Sequence, residues 1–373
     1  MRREDIGRLK TAYKASAVRE VEFSKAVGVD VPEVRRLHKE IFNDLEDKVF
    51  GIKWWAPHHG TKRRILASHY LLECVSIIET NLTEAGLHLL EAVDYWERES
   101  DFLANSVSTG QNGGFSIKMP RRKTPEEDLP YQMATLHAVG FFRALVGALD
   151  CLGASVVGVL ALPVDLRRTD IIYARKSLEK ASKPMQADFR EKLRLIIADS
   201  GPTGWLEWLN DYRNMVVHRG RRPNMTQLRP KPVRILGPDG HAILRTIAVR
   251  HLPRDPNLSQ IEAFADPPRT PVLTEDATVT MRGSLNSSLH LIRSVAAELV
   301  EVWKIRRQTP SLLPQPKENW PKGLCLESTG FIGYAPDSLP YNPHLWIAHP
   351  ALGKQLKTAA LSDDLRHLWQ SFD

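Results

Sequence analysis

The chain has 373 residues, 42% hydrophobic and 25% charged, which is the composition of an ordinary soluble globular protein. Its net charge of +7 permits a polyanionic partner but is too small to require one. The three cysteines are far apart in sequence, which excludes a disulfide framework and a paired zinc-ligand spacing. Because the N-terminus has no apolar core typical of a signal peptide, we expect a cytoplasmic protein.

Residues 1–104 predict an N-terminal helical region. Apolar residues recur at helical spacing after Asp30 and Pro32, and again over the longer stretch 65–103. Gly86 interrupts the longer stretch and predicts a bend or a break there. A loop rich in Gly, Ser and Pro follows, up to about residue 130.

Residues 128–308 predict a helical bundle. From Tyr131 the apolar residues fall almost all round the helix, which is typical of a central, buried helix. The longest apolar stretch, 145–163, contains Asp150 and ends at a proline, so a core helix fits better than a membrane span. Alternating apolar and polar residues on both sides of a Gly-Pro-Asp-Gly turn predict a β-hairpin insertion at 232–252. A strongly periodic helix, 281–308, closes the bundle.

After Thr309 prolines and aromatic residues dominate. Residues 309–373 therefore predict an irregular C-terminal extension that lies against the helices. The expected fold is all-α, a helical bundle with a small β-hairpin insertion and this irregular segment.

One short stretch combines groups that could handle a phosphate: "WLNDYRNMVVHRGRRP", residues 208–223. Arg213 and His218 are five residues apart, which places them roughly 140° apart around a regular helix. Asn214 and His218 are four apart and share a face. A site that uses all three residues therefore requires either a distorted helix end or groups from a second chain.

A simpler interpretation of the same residues is a helix C-terminus. Positive charge at His218 and Arg219 complements the carbonyl end of a helix, and Gly220 is a natural residue just beyond it. Spacing alone favours this interpretation, because short motifs often occur by coincidence.

The segment "YRNMVVHRG" in a helical setting resembles the signature of the HEPN superfamily, an Arg, a polar residue, three further residues and a His. The pattern falls on Arg213, Asn214 and His218. The resemblance covers about residues 130–220 and the helix at 280–307. It implies a helical, commonly homodimeric protein, and many members are metal-independent ribonucleases of bacterial toxin or antiviral defence systems.

The resemblance implies a catalytic role for Arg213, Asn214 and His218, with no metal and no cofactor. When the 2′-OH of RNA attacks the neighbouring phosphate, a proton has to be transferred, and a histidine can do this. The phosphorane that forms carries added negative charge, which an arginine can stabilise. Two copies of the helix crossing at a two-fold axis would bring both groups into one cleft.

Further residues could support such a site. The basic residues after the motif would either extend the cleft into a track for RNA or form a solvated loop. These residues are Arg219, Arg221, Arg222, Arg229, Lys231 and Arg234. Arg143 and Asp150, seven apart on the central helix, would either supply a polar group or form a buried contact with each other.

The expected partners are RNA, a second copy of the chain and an antitoxin or regulatory protein. The alternative to a ribonuclease is a HEPN-like module without catalysis, which binds nucleotide, RNA or a protein. A third possibility is a helical scaffold in which the motif is a coincidence.

Overall fold

A computed structural model describes residues 27–44, 53–57, 61–105, 108–109, 115–116, 124–166, 169–218, 224–235, 242–258, 270–313 and 334. Most of these residues are helical, which confirms the predicted helical class. In chain order the helices of this part are α1 Pro32–Asp44, α2 Thr61–Asn105, α3 Pro125–Leu160, α4 Ile171–Glu179, α5 Pro184–Ser200, α6 Trp205–His218 and α7 Ala277–Gln308.

Four strands accompany these helices. Two of them, β1 (Ser108–Thr109) and β2 (Phe115–Ser116), have two residues each and pair antiparallel. The other two, β3 (Asn224–Ile235) and β4 (Ala242–Pro253), form an antiparallel ribbon. The predicted hairpin at 232–252 is therefore confirmed, and its first strand begins eight residues earlier than the sequence indicates.

The chain divides into two compact units, each made of three separate segments. The first unit contains 1–30, 79–148 and 197–291, and the second contains 31–78, 149–196 and 292–373. The long helices α2, α3 and α7 therefore contribute residues to both units. Helix α6 and the β3–β4 ribbon belong entirely to the first unit.

Helix α3 is the predicted core helix. It begins at Pro125 with three acidic residues in its first turn, which complement the positive end of the helix. In the described part of the chain it is the one helix long and apolar enough to cross a membrane, but 78% of its apolar window is buried within the protein. That burial fits the prediction of a core helix.

Side chains of the second unit satisfy the carbonyl groups at the C-terminal end of α3. Arg306 is fully buried, and its guanidinium donates to the carbonyls of Gly158 (3.1 Å) and Val159 (2.8 Å). The Gln186 side chain donates to the carbonyl of Leu160 at 2.8 Å. Burial lowers the pKa of Arg306 to about 9, so the residue is still a cation at neutral pH, placed at the negative pole of the helix.

Helix α2 runs through Gly86 without the predicted break. A Cβ atom at Gly86 would lie 3.3 Å from the Val27 side chain, which is a tight contact. The glycine therefore allows a close approach between segments and does not interrupt the helix.

The base of the ribbon is anchored to helices of the first unit. His251 on β4 is 4% exposed and stacks on Trp96 of α2, with ring centres 5.6 Å apart. The His251 backbone N–H donates to Asp276 Oδ2 at 3.1 Å, just before α7 begins. The C-terminal extension lies outside the described residues, apart from 309–313, which include a short 3-10 helix at Pro310–Leu312, and residue 334.

We predict that Arg306→Met destabilises the protein by about 2–4 kcal/mol, because the substitution removes the hydrogen bonds that the guanidinium donates to buried carbonyl groups. Chemical unfolding monitored by circular dichroism measures the change. Arg282→Met, at an exposed position of the same helix, is the matched control and should change stability by less than about 0.5 kcal/mol. Equal stability of the two variants would contradict the capping role of Arg306.

Candidate functional site

The turn before α6 fixes where the motif helix begins. Gly204 adopts φ 82°, a left-handed conformation that favours glycine. The Trp205 indole donates to the carbonyl of Ile197 at 3.2 Å and ties the first residue of α6 to the end of α5. The turn that separates α5 from α6 contains two glycines, Gly201 and Gly204.

One face of α6 is packed into the first unit. Phe142 of α3 lies against Tyr212, with ring centres 4.5 Å apart, and Tyr212 stacks on Trp208 at 4.7 Å. Tyr212 is fully buried, and burial raises the pKa of its hydroxyl above its usual range. The residues of α6 buried by this packing are Leu206, Leu209, Tyr212, Met215 and Val216.

Two of the motif residues, Arg213 and Asn214, are outside the set of buried α6 residues. Arg213 and Asn214 are both half-buried, so neither belongs to the closed core. Helix α6 is regular up to its last residue, His218, and the 140° separation between Arg213 and His218 therefore applies. This regularity removes a distorted helix end as a way to bring the two residues together within one chain.

Two polar contacts tie α6 to neighbouring segments close to the motif. The Tyr212 hydroxyl donates to Asn224 Oδ1 at 3.2 Å, at the first residue of β3. Asn257 donates to Asp211 Oδ2 at 3.3 Å. These contacts hold the base of the ribbon and the segment that follows it beside the middle of α6.

Asp211 is a residue that the sequence analysis did not single out. It is half-buried, and it precedes His218 by seven residues, which places both positions on the same side of α6 two turns apart. The spacing in "DYRNMVVH" carries this signal. A carboxylate, an amide at Asn214 and the His218 position therefore follow one another along one side of the helix.

Arg143 is exposed, and its guanidinium donates to Glu84 of α2. This excludes a buried contact between Arg143 and Asp150, one of the two roles that the sequence allows, and a supporting role of Arg143 at the site stays a prediction. The sequence periodicity identified neighbours on the same helix, whereas the actual partner lies on another helix, 59 residues away. Asp150 is half-buried and its supporting role stays a prediction.

The first unit also contains a histidine pair that the sequence did not reveal. The Nδ1 atoms of His88 on α2 and His137 on α3 are 3.0 Å apart, so the two rings share one proton. Tyr95 stacks on His137 with its ring nearly parallel, at 5.7 Å. Burial, and next the neighbouring His137, lower the pKa of His88. This pair joins two helices and has no described contact with α6.

The remaining predicted residues Arg219, Arg221 and Arg222 lie outside the described residues, as does the side chain of His218. In the described part of the chain no group of three or more His, Cys, Asp or Glu residues is arranged to hold a metal ion. The chain shows no significant similarity to a protein-family model, a curated protein or a solved structure.

We predict that the anchor of the ribbon is sensitive to acid. Burial lowers the pKa of His251 to about 4 from an ordinary value of 6.5. The neutral imidazole therefore stabilises the fold fully above pH 6.5, and this stability is lost as the pH falls from 6.5 towards 4.

The free energy of unfolding, measured at pH 7.5 and pH 4.5, tests this prediction. The wild type should lose about 2 kcal/mol more between these two pH values than His251→Gln does. His290→Gln, at an exposed histidine, is the control and should follow the wild type. The same pH dependence in all three proteins would show that His251 is not the sensitive group.

Proposed function

We propose that this protein is a metal-independent endoribonuclease of the HEPN type, active as a homodimer. The supporting observation is the regular geometry of α6, which leaves Arg213 and Asn214 outside the buried residues of the helix and continues to His218. A residue pair separated by 140° on one helix does not converge in a single chain. Two copies related by a two-fold axis allow Arg213 of each chain to approach His218 of the other.

The chemistry follows from the residue types. RNA supplies the nucleophile, its own 2′-OH, which attacks the adjacent phosphorus while the 5′-oxygen leaves. His218 accepts the 2′-OH proton or donates a proton to the leaving oxygen, because an imidazole exchanges protons near neutral pH. The Arg213 guanidinium offers two parallel donors to the phosphate oxygens and stabilises the charge of the phosphorane.

Asn214 and Asp211 complete the proposed site. Asn214 lies one turn before His218 on the same side of α6, where its amide orients the imidazole or holds the phosphate. Asp211 bonds Asn257 and adds a carboxylate to that side. The basic residues Arg219, Arg221 and Arg222 follow directly in sequence and provide positive charge for the RNA backbone. A bacterial defence or toxin role in the cytoplasm, with a regulatory partner, follows from the family resemblance alone.

We predict that the purified full-length protein cleaves single-stranded RNA of mixed sequence in the presence of a chelator. The products should end in 2′,3′-cyclic phosphate and 5′-hydroxyl groups, which end-group analysis identifies. His218→Ala and Arg213→Ala should each reduce the rate about 100-fold or more, because each removes a group that acts in the transition state.

His290→Ala, the matched histidine control, should cleave RNA at the wild-type rate. Equal cleavage by His218→Ala and the wild type would show that another group, or a contaminating nuclease, is responsible. RNA that is bound but stays intact at a large excess of protein would instead identify a HEPN-like binding module.

A further inference from the structure

The positive charge of the chain is concentrated in one segment. The 42 residues 213–254 contain nine Arg, one Lys and a single acidic residue, Asp239, for a net charge of +9, whereas the rest of the chain has a net charge of −2. The β3 and β4 strands themselves contain five of these cations and no acidic residue. The small net charge of the whole chain therefore conceals one strongly basic segment. A segment of this kind attracts polyanions.

The register of the ribbon sorts these cations onto two faces. Gln227 pairs with Arg250, Arg229 with Ala248 and Lys231 with Thr246, and directly opposed residues lie on the same face of an antiparallel pair. Arg229, Lys231 and Arg250 thus define one face, called here the basic face. Arg234 and Arg245 occupy the other face, so the strand register separates Arg234 from Arg229 and Lys231, with which the sequence groups it. Successive positions on the basic face are about 7 Å apart along the strands.

At the base of the ribbon the two faces differ in their surroundings. Arg250, on the basic face, is exposed. The next residue, His251, lies on the other face and is buried against Trp96. At Arg250 the basic face therefore points away from α2, whereas Leu252, the next residue of that face, is buried.

The outer edge of β3 does not suit an added strand. Pro230 and Pro232 are two residues apart in β3, which is paired with β4. Proline has no backbone N–H, so it is tolerated in a paired strand only where that position does not face the partner strand. The edge therefore lacks two donors in succession, which disfavours strand addition by a peptide. A partner of the ribbon is expected on a face.

We propose that the basic face of the β3–β4 ribbon binds the phosphate backbone of single-stranded RNA. Three cations spaced about 7 Å apart match a chain of phosphates better than a single anionic group. The choice of RNA as the polyanion rests on the proposed function. The ribbon begins six residues after His218, and Tyr212 bonds its first residue, Asn224, so a strand held on the basic face reaches the end of α6.

Fluorescence anisotropy with a labelled single-stranded RNA of about 20 nucleotides tests this assignment. All proteins carry His218→Ala, so that the RNA stays intact. The test variant is Arg229→Ala/Arg250→Ala, and the matched control is Arg234→Ala/Arg245→Ala, which removes the same charge from the other face. A third variant, Arg229→Lys/Arg250→Lys, keeps the charge, and far-UV circular dichroism confirms that each variant folds.

The test variant should bind about tenfold more weakly at physiological salt, and the slope of log K against log salt should decrease by about 1.4, because two phosphate contacts are lost. The control and the lysine variant should both retain the parental slope. Equal losses in the test variant and the control would overturn the face assignment, and so would an unchanged slope. Tighter binding of DNA with the same sequence would overturn the choice of RNA.

This experiment separates the two proposals. If the ribbon variants behave as predicted but the unmutated protein leaves RNA intact, the ribonuclease proposal fails and the RNA-binding face stands. If the protein cleaves RNA but the slope does not depend on the basic face, only the ribbon proposal fails.

Discussion

The packing of Tyr212 against Phe142 determines which side of α6 is buried, and the accessibility of the motif residues depends on that side. Because α3 is apolar almost all round, it has to be covered by other helices, and the α6 residues Leu206, Leu209 and Tyr212 are buried. This arrangement leaves Arg213 and Asn214 half-buried, outside the set of buried residues. Had the helix packed through the opposite side, the motif would lie in the core and no phosphate could reach it.

Most of the fold could be predicted from periodicity, since the long helices and the hairpin carry strong local patterns. Tertiary partners could not be predicted. The guanidinium of Arg306 is buried among carbonyls of residues more than 140 positions away, and no local pattern distinguishes it from an exposed arginine. The sequence places the start of β3 too late along the chain, because Pro230 and Pro232 suggest a loop. Both prolines are nevertheless compatible with the edge of a two-stranded ribbon.

The candidate site was predicted in part. The residues of the motif and their separation around the helix follow from sequence, and the structure adds that the helix is regular to its end. Helical spacing relates Arg143 to Asp150, because a helical repeat identifies neighbours on one helix only, whereas the partner Glu84 lies on another helix. The spacing of seven residues between Asp211 and His218 is visible in the sequence. The charge asymmetry of 213–254 was also visible, but its meaning required the strand register.

The proposed site requires a groove shared by two protomers, because one regular helix holds Arg213 and His218 apart. Co-expression of Arg213→Ala and His218→Ala chains with different tags, followed by tandem purification, yields dimers with one intact copy of each residue. We expect these mixed dimers to cleave RNA while each variant alone does not. Mixed dimers as inactive as the separate variants, beside an active wild type, would contradict the shared groove and place the catalytic groups within a single chain.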